Sequence, residues 1–133
     1  MPLPNNLDFF VAQAAMEFAS GDKTKKDEID KIENAVQKAI SILSSQGLFA
    51  MFLWSYAGKA KKYDTVAKEI LKSFKKINLV ESSLDPNSAQ AILEAIKNEL
   101  NAKKNDSLSE IRFLEDLTMR ILIYARHYLK SLG

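Results

Sequence analysis

The stretch SLSEIRFLEDLTMRILIYARHYLKS, residues 107–131, decides the fold class because it has the pattern of one long amphipathic helix. Ser107, with Glu110 three residues later, forms a capping box at its start, and neither Gly nor Pro interrupts it. At 1.5 Å per residue this helix would be about 37 Å long, the spine of a small domain. Its inward stripe comprises Leu108, Ile111, Leu114, Thr118, Ile121, Leu122, Ala125, Tyr128, Leu129 and Leu132.

Helical periodicity covers most of the preceding chain, and no strand pattern competes with it. Five further helices are predicted, at residues 7–19, 25–45, 48–56, 64–77 and 85–100. Asn5 or Asn6 caps the first, and Gly47 suits the left-handed end of the second. The third is apolar nearly all round, which predicts central burial. We therefore predict one all-α domain over residues 1–133, a bundle of about six helices packed around the third helix and a long C-terminal helix.

The composition argues against a typical enzyme. Among 133 residues there are 19 Lys and Arg, 17 Asp and Glu, one His and no Cys. A chain without Cys has no thiol nucleophile, disulfide or zinc–thiolate site, and a single His excludes sites built from two or three histidines of one chain. Most acid–base and nucleophilic chemistry at neutral pH uses His or Cys. Neither a Gly-rich phosphate loop nor a Glu-x-x-His pair occurs, so we predict a non-enzyme without catalytic residues, metal or cofactor.

Three features that resemble chemical sites have simpler interpretations. His127 lies between cationic neighbours and is predicted to be a partly exposed surface residue rather than a general base. Trp54, in the apolar third helix, is more typical of a core than of a ligand cage. An acidic cluster falls at the start of the second helix, where the macrodipole favours negative charge, so a solvated face is expected rather than a metal site: Asp27, Glu28, Asp30 and Glu33.

The uncharged run at residues 39–58 is long enough to span a bilayer. Polar residues interrupt it, however, and its first half continues an amphipathic helix, so we interpret it as two core helices joined at Gln46-Gly47. The N-terminus lacks a basic region followed by an apolar run and does not resemble a signal peptide. We therefore predict a cytoplasmic protein without a membrane partner.

Charge is distributed unevenly along the chain. Residues 57–76 hold seven lysines and two acidic residues, a net +5, and the remaining 113 residues hold twelve basic and fifteen acidic residues, a net −3. The formal total of +2 conceals this division. Three of the lysines fall before the fourth helix, in a segment that we call the basic connection: Lys59, Lys61 and Lys62. Four lie on that helix at i, i+4, i+7 and i+8, and we call them the lysine face: Lys68, Lys72, Lys75 and Lys76.

A row of lysines matches a phosphate backbone as a series of point charges. Lysine lacks the planar fork with which arginine reads a base, and no aromatic residue is interleaved on this face, so the predicted contact is sequence-independent. A merely solubilising charged face is the competing interpretation. An anionic membrane surface is a weaker third, because the apolar side of the helix is needed for the core.

Three stretches resemble the small helical subunit of the type III-B CRISPR RNA-silencing complex, the Cmr effector. They are residues 36–53, where an aliphatic helix is followed by Gly47-Leu48 and an apolar helix; residues 58–63, a basic connection; and residues 124–130, an aromatic-Ala helix with a Leu-Lys ending. The sequence departs from that family where basic residues are expected before the terminal aromatic-Ala, since it has Leu122 and Ile123 there. Its arginines are instead Arg120 and Arg126.

The resemblance implies a non-catalytic subunit acting in antiviral defence. Such subunits stack along the filament of the effector complex beside other subunits and line the groove that holds guide RNA and target RNA. Base pairing supplies their specificity. The expected contacts to the RNA backbone are the lysine face and the basic connection, with a second tier at Arg120, Arg126 and Lys130. The alternatives are a small subunit of another CRISPR subtype and a helical protein–protein adaptor that never touches nucleic acid.

Overall fold

The computed structural model describes residues 6–19, 26–58, 63–77 and 107–132, together with positions 90, 91 and 94. Every element in these ranges is helical, as predicted. The helices are α1 Leu7–Met16, α2 Lys26–Gln46, α3 Leu48–Ala57, α4 Asp64–Lys76 and α5 Ser107–Leu132, and a 3₁₀ turn, Glu17–Ala19, follows α1. The helix predicted at 85–100 lies outside the described residues except at 90, 91 and 94, which are helical.

Local chemistry explains how α1 begins and where α2 gives way to α3. The Asn6 side chain accepts a 3.0 Å hydrogen bond from the backbone N–H of Phe9, which caps α1 as predicted. Gly47 has φ +99°, a value that L side chains rarely adopt, and it separates α2 from α3. The interpretation of residues 39–58 as two joined helices is therefore confirmed. Over the described ranges, no helix combines the length and the apolar character needed to cross a membrane.

The centre of the bundle is α5, which packs mainly against α2 and α1. Most of the predicted stripe is buried, and Leu117, which the stripe omitted, joins it. Ile111 and Tyr128 are only half-buried, and Leu132, near the end of the helix, is exposed. The side chain of Leu108 lies outside the described part of the structure.

The prediction that the third helix is buried centrally is wrong. Helix α3 packs mainly against α2 and α4 and buries one face, while Leu53 on the other face is 55% exposed. Phe52 meets Phe74 of α4 edge to face, with ring centroids 6.3 Å apart. Because α1 and α2 already cover α5, α3 lies at the side of the bundle next to α4. Its outer face is therefore exposed.

Candidate nucleic-acid interface

Helix α4 separates its apolar and basic residues onto opposite sides. Ile70 and Phe74 are fully buried, and at 100° per residue the lysine face falls on the side away from them. Lys72 and Lys76 are exposed, whereas Lys68 and Lys75 are half-buried. The structure thus brings the four lysines of the helix together on one outward surface.

Two of these lysines face carboxylates within the same protein. The Lys68 ammonium lies 3.0 Å from Asp64, one turn earlier. Lys72 lies 3.1 Å from Glu69 and 3.9 Å from Glu17 of the 3₁₀ turn. These pairs reduce the positive potential over the first half of the helix. The spacing of Lys68 and Asp64 is visible in the sequence, but the contact with Glu17 joins residues far apart in the chain.

The end of α4 carries two further lysines. Lys75 and Lys76 occupy the last turn, where the macrodipole favours cations. Lys76 is exposed and makes no ion pair with the described residues. A shallow cleft of about 290 Å³ runs along this surface between Lys68 and Lys75, and Leu71 and Glu69 also line it.

The basic connection lies outside the described residues, but its two ends are fixed. The backbone N–H of Tyr63 donates a 3.1 Å hydrogen bond to the carbonyl oxygen of Gly58. A Cβ added at Gly58 would lie 2.3 Å from a Tyr63 ring carbon, so the close approach of the two residues requires glycine. Residues 59–62, which include three lysines, therefore join two anchors that touch each other.

Ser55 provides the first turn of α4 with a cap from outside the helix. Its buried hydroxyl donates a 2.5 Å hydrogen bond to the carbonyl oxygen of Tyr63 and accepts a 3.0 Å hydrogen bond from the N–H of Ala67. The N–H groups of the first helical turn lack intrahelical partners, and Ser55 satisfies one of them. Our sequence reasoning missed this residue, although the only serine within an apolar helix was a signal for it.

An aromatic corner, formed by Lys38, Trp54 and Tyr63, lies beside these anchors. The Trp54 indole stacks on the Tyr63 ring, with centroids 4.8 Å apart and planes 23° from parallel. The Lys38 ammonium donates a 2.7 Å hydrogen bond to the Tyr63 hydroxyl, and it lies 5.1 Å from the ring centroid. Tyr63 is buried, whereas Trp54 is half-buried. Lys38 is 25 residues from Tyr63 in the chain, so no local pattern predicted this corner.

The second tier of predicted contacts does not form one surface. Arg120, Arg126 and Lys130 are all exposed on α5. Arg126 and Lys130 are four residues apart and share a face, but six residues separate Arg120 from Arg126, which turns them about 120° apart on a helix. In addition, α5 packs mainly against α1 and α2, not against α4.

Beside Arg120, α1 and α5 are joined through a polar contact at the edge of an apolar groove. The Tyr124 hydroxyl donates a hydrogen bond to the Asp8 carboxylate. This hydrogen bond, together with the negative charge of Asp8, raises the pKa of the Tyr124 phenol, and the nearby Arg120 opposes the shift. The α1–α5 groove has a volume of about 330 Å³ and is lined by Ala12, Ala15, Met16, Tyr124, His127 and Tyr128.

The remaining candidate residues form no metal-binding or catalytic cluster within the described ranges. The acidic residues at the start of α2 lie along one helix, and no cluster of three or more potential metal ligands occurs within the described ranges. His127 is exposed on α5, as predicted. Comparison of the chain with protein-family models, with curated proteins and with solved structures found no match in any of the three.

Proposed function

We propose that this chain is a non-catalytic small subunit of a CRISPR ribonucleoprotein effector of the type III-B kind, which contacts the backbone of guide and target RNA. The observation that carries the proposal is the outward surface of α4, where the lysine face lies opposite a fully buried apolar side. The basic connection, between anchors at Gly58 and Tyr63, adds three lysines next to the start of that helix. Other subunits of the effector, and further copies of this chain in its filament, would be its protein partners.

The ion pairs refine which lysines would carry the RNA contact. Lys68 and Lys72 each face a carboxylate, so part of their charge is already compensated. Lys76, which makes no ion pair with the described residues, and the basic connection would then supply most of the interaction with phosphate. Because lysine acts as a point charge, the interaction would track phosphates without reading sequence.

The test compares the salt dependence of target-RNA binding by the assembled effector for two matched double variants. Replacing Lys75 and Lys76 with Gln should lower the slope of log affinity against log salt by about 2, roughly one for each lost phosphate contact. Replacing Lys26 and Lys31, which are exposed on α2, removes the same charge elsewhere and should leave the slope unchanged. A triple Lys59, Lys61 and Lys62 variant should lower it further. If neither the double nor the triple variant changes the slope, the proposed RNA contact is wrong.

A protein–protein adaptor without nucleic-acid contact is the second candidate, and the α1–α5 groove favours it. Beside this groove Phe9 is 59% exposed and Met16 is 51% exposed, so α1 presents two large apolar side chains that a partner would cover. If an adaptor, the chain would lose partner binding when Met16 is replaced with Glu, while RNA binding by any complex containing it would be insensitive to the lysine variants.

A further inference from the structure

We propose that the chain forms a two-fold dimer through the side of the bundle made by α1 and α5, with a second copy of the chain covering the α1–α5 groove. This contact does not depend on the proposed RNA contact. Among the described residues, the exposed large apolar side chains cluster on these two helices, and Leu53 of α3 is the exception. The clustered residues are Phe9, Met16, Ile123, Tyr124 and Leu132.

The outer side of α1 is apolar along most of its length. Phe9 and Met16 are seven residues apart, about two turns, so they project from the same side of the helix. Ala12 is half-buried between them, and Gln13 is the only exposed polar residue in that interval. We call these four residues the α1 stripe. The outer side of a surface helix normally carries charged residues, so the α1 stripe is suited to burial against another protein surface.

The α1–α5 groove offers a place for such projecting side chains. Its volume of about 330 Å³ accepts a phenylalanine or methionine side chain, and its lining is small or aromatic on most sides. Ala12 and Met16 belong both to the α1 stripe and to the groove lining, so the stripe and the groove adjoin. In a two-fold contact both chains present the same residues. Each stripe can therefore enter the groove of the other chain.

The two helices of this surface carry opposite charge. Residues 7–19 hold Asp8 and Glu17 and no basic residue, whereas residues 117–132 hold Arg120, Arg126 and Lys130 and no acidic residue. Asp8 is exposed at the edge of the groove, and the three cations of α5 are exposed without an ion pair to the described residues. A second copy would bring the acidic helix of one chain to the basic helix of the other, and it would do so twice.

This combination favours a second copy over other occupants. A nucleic acid or an anionic lipid surface would be repelled by Asp8, and a nucleic acid would gain nothing from covering the apolar α1 stripe. A different protein would have to supply a projecting apolar side and an acidic flank. This chain already carries both, next to the groove that receives them.

Sedimentation equilibrium of the full chain tests the contact at concentrations up to about 1 mM. The average mass should rise with concentration from the monomer value of 15.0 kDa and level off at twice that value. A chain that stays at the monomer mass would overturn the dimer. A mass that continues to rise beyond two chains would overturn the two-fold arrangement, because an isologous contact closes after two copies.

Charged substitutions locate the contact. Phe9→Glu and Met16→Glu should each weaken dimerisation by at least about tenfold, because each places a carboxylate in an apolar contact. Leu53→Glu makes the same change at a residue of α3 that is 55% exposed, and it should leave dimerisation unchanged. Circular dichroism checks that the three variants remain folded. Dimerisation that survives both α1 substitutions, or that Leu53→Glu weakens equally, contradicts the proposed surface.

Charge reversal on α5 tests the complementarity. Lys130→Glu removes a cation that would face the acidic helix of the other chain, so it should weaken dimerisation several-fold at low salt. Lys76→Glu changes the net charge equally on α4 and should not. An unchanged affinity in Lys130→Glu, or equal effects of the two variants, would show that charge does not select a second copy.

Cross-linking tests the symmetry, because the chain has no cysteine of its own. Gln13→Cys introduces a thiol near the middle of the α1 stripe, where an isologous contact brings equivalent residues together. Mild oxidation should therefore give a covalent dimer. Gln37→Cys, exposed on α2, should not cross-link under the same conditions. Failure of Gln13→Cys to cross-link, or equal cross-linking at both positions, contradicts the two-fold contact.

These outcomes also separate the dimer from the RNA contact. If the chain stays monomeric while the Lys75 and Lys76 double variant lowers the salt slope, the RNA contact stands and the dimer fails. If the chain dimerises through α1 while the lysine variants leave the slope unchanged, the dimer stands and the RNA contact fails.

Discussion

The Ser55 hydroxyl lies 2.5 Å from the carbonyl oxygen of Tyr63 and 3.0 Å from the backbone nitrogen of Ala67, so one buried side chain of α3 fixes the start of α4. Ser55 lies one residue from Trp54, and Tyr63 is the ring on which Trp54 stacks. The same few contacts therefore hold the beginning of the lysine-bearing helix and the aromatic corner. A substitution that displaces Ser55 should therefore alter both the start of α4 and the aromatic corner.

Replacing Ser55 with Ala should lower the free energy of unfolding by about 1–3 kcal/mol, because it leaves the buried N–H of Ala67 without its partner and removes one of the two hydrogen bonds to the Tyr63 carbonyl oxygen. Urea unfolding followed by circular dichroism measures this loss. Ser45→Ala removes an exposed hydroxyl that bonds within α2 and is the matched control, with an expected change below about 0.5 kcal/mol. Equal effects of the two substitutions would argue against a capping role for Ser55.

Glu115 of α5 performs a similar task for α3. Its carboxylate accepts a 3.1 Å hydrogen bond from the N–H of Leu48, at a helix start where Gly47 offers no side-chain cap. Glu115→Ala should cost about 1–2 kcal/mol, since it removes both a hydrogen bond and a negative charge at the positive end of a helix. Asp116→Ala, the exposed neighbour, should change stability little. The difference between the two is measurable by urea unfolding, and its absence would exclude the cap.

The two glycines that border α3 should respond differently to alanine. At Gly47 the positive φ makes a side chain strained, and the expected loss is about 1–2 kcal/mol with the Trp54 emission unchanged. At Gly58 the added Cβ would meet the Tyr63 ring, so the ring must move and the emission of Trp54 should shift. Recording both thermal unfolding and native fluorescence separates the cases. Unaltered emission in Gly58→Ala would mean that the Trp54–Tyr63 stack tolerates the displacement.

Thr118 offers a stabilising substitution. Its hydroxyl is fully buried and has no hydrogen-bond partner among the described residues. Thr118→Val keeps the shape and removes the buried polar atom, so the free energy of unfolding should rise by about 1 kcal/mol. A rise in the urea midpoint without a change in slope would confirm the gain. A lower midpoint would show that the hydroxyl has a stabilising role.

The Tyr124–Asp8 contact predicts a loss of stability at alkaline pH. Because folding raises the pKa of the Tyr124 phenol above its usual value of 10.0, the folded state binds that proton more tightly than the unfolded state. The contribution is complete below that value and is lost as the pH rises through the raised pKa. Alkaline absorbance titration should show a tyrosinate transition above the usual range that Tyr124→Phe removes and Asp8→Asn moves to lower pH. If Asp8→Asn leaves the transition that Tyr124→Phe removes unchanged, the contact does not control the phenol.

The helices were predictable because their signals are local. The apolar repeat of α4 and the Asn6 cap can be read within a few residues. The prediction that α3 is buried centrally was wrong because the composition of one helix does not show which helices occupy the centre of the bundle.

The candidate site was only half predictable for the same reason. Spacing within one helix defined the lysine face. It did not reveal the Lys72–Glu17 pair, which depends on two elements meeting, or the aromatic corner, where Lys38 reaches Tyr63 from a distant helix. Charge that looks available in the sequence can thus be partly compensated once the chain folds.

The packing of α5 against α1 and α2 also bears on how the chain acquires its structure during synthesis. A ribosome releases α1 and α2 long before α5, so their apolar faces lack their main partner until the last of these helices emerges. Contacts between such distant segments slow folding and leave early intermediates open to aggregation. Nascent chains of this protein should therefore complete the packing of α1 and α2 only after α5 has emerged.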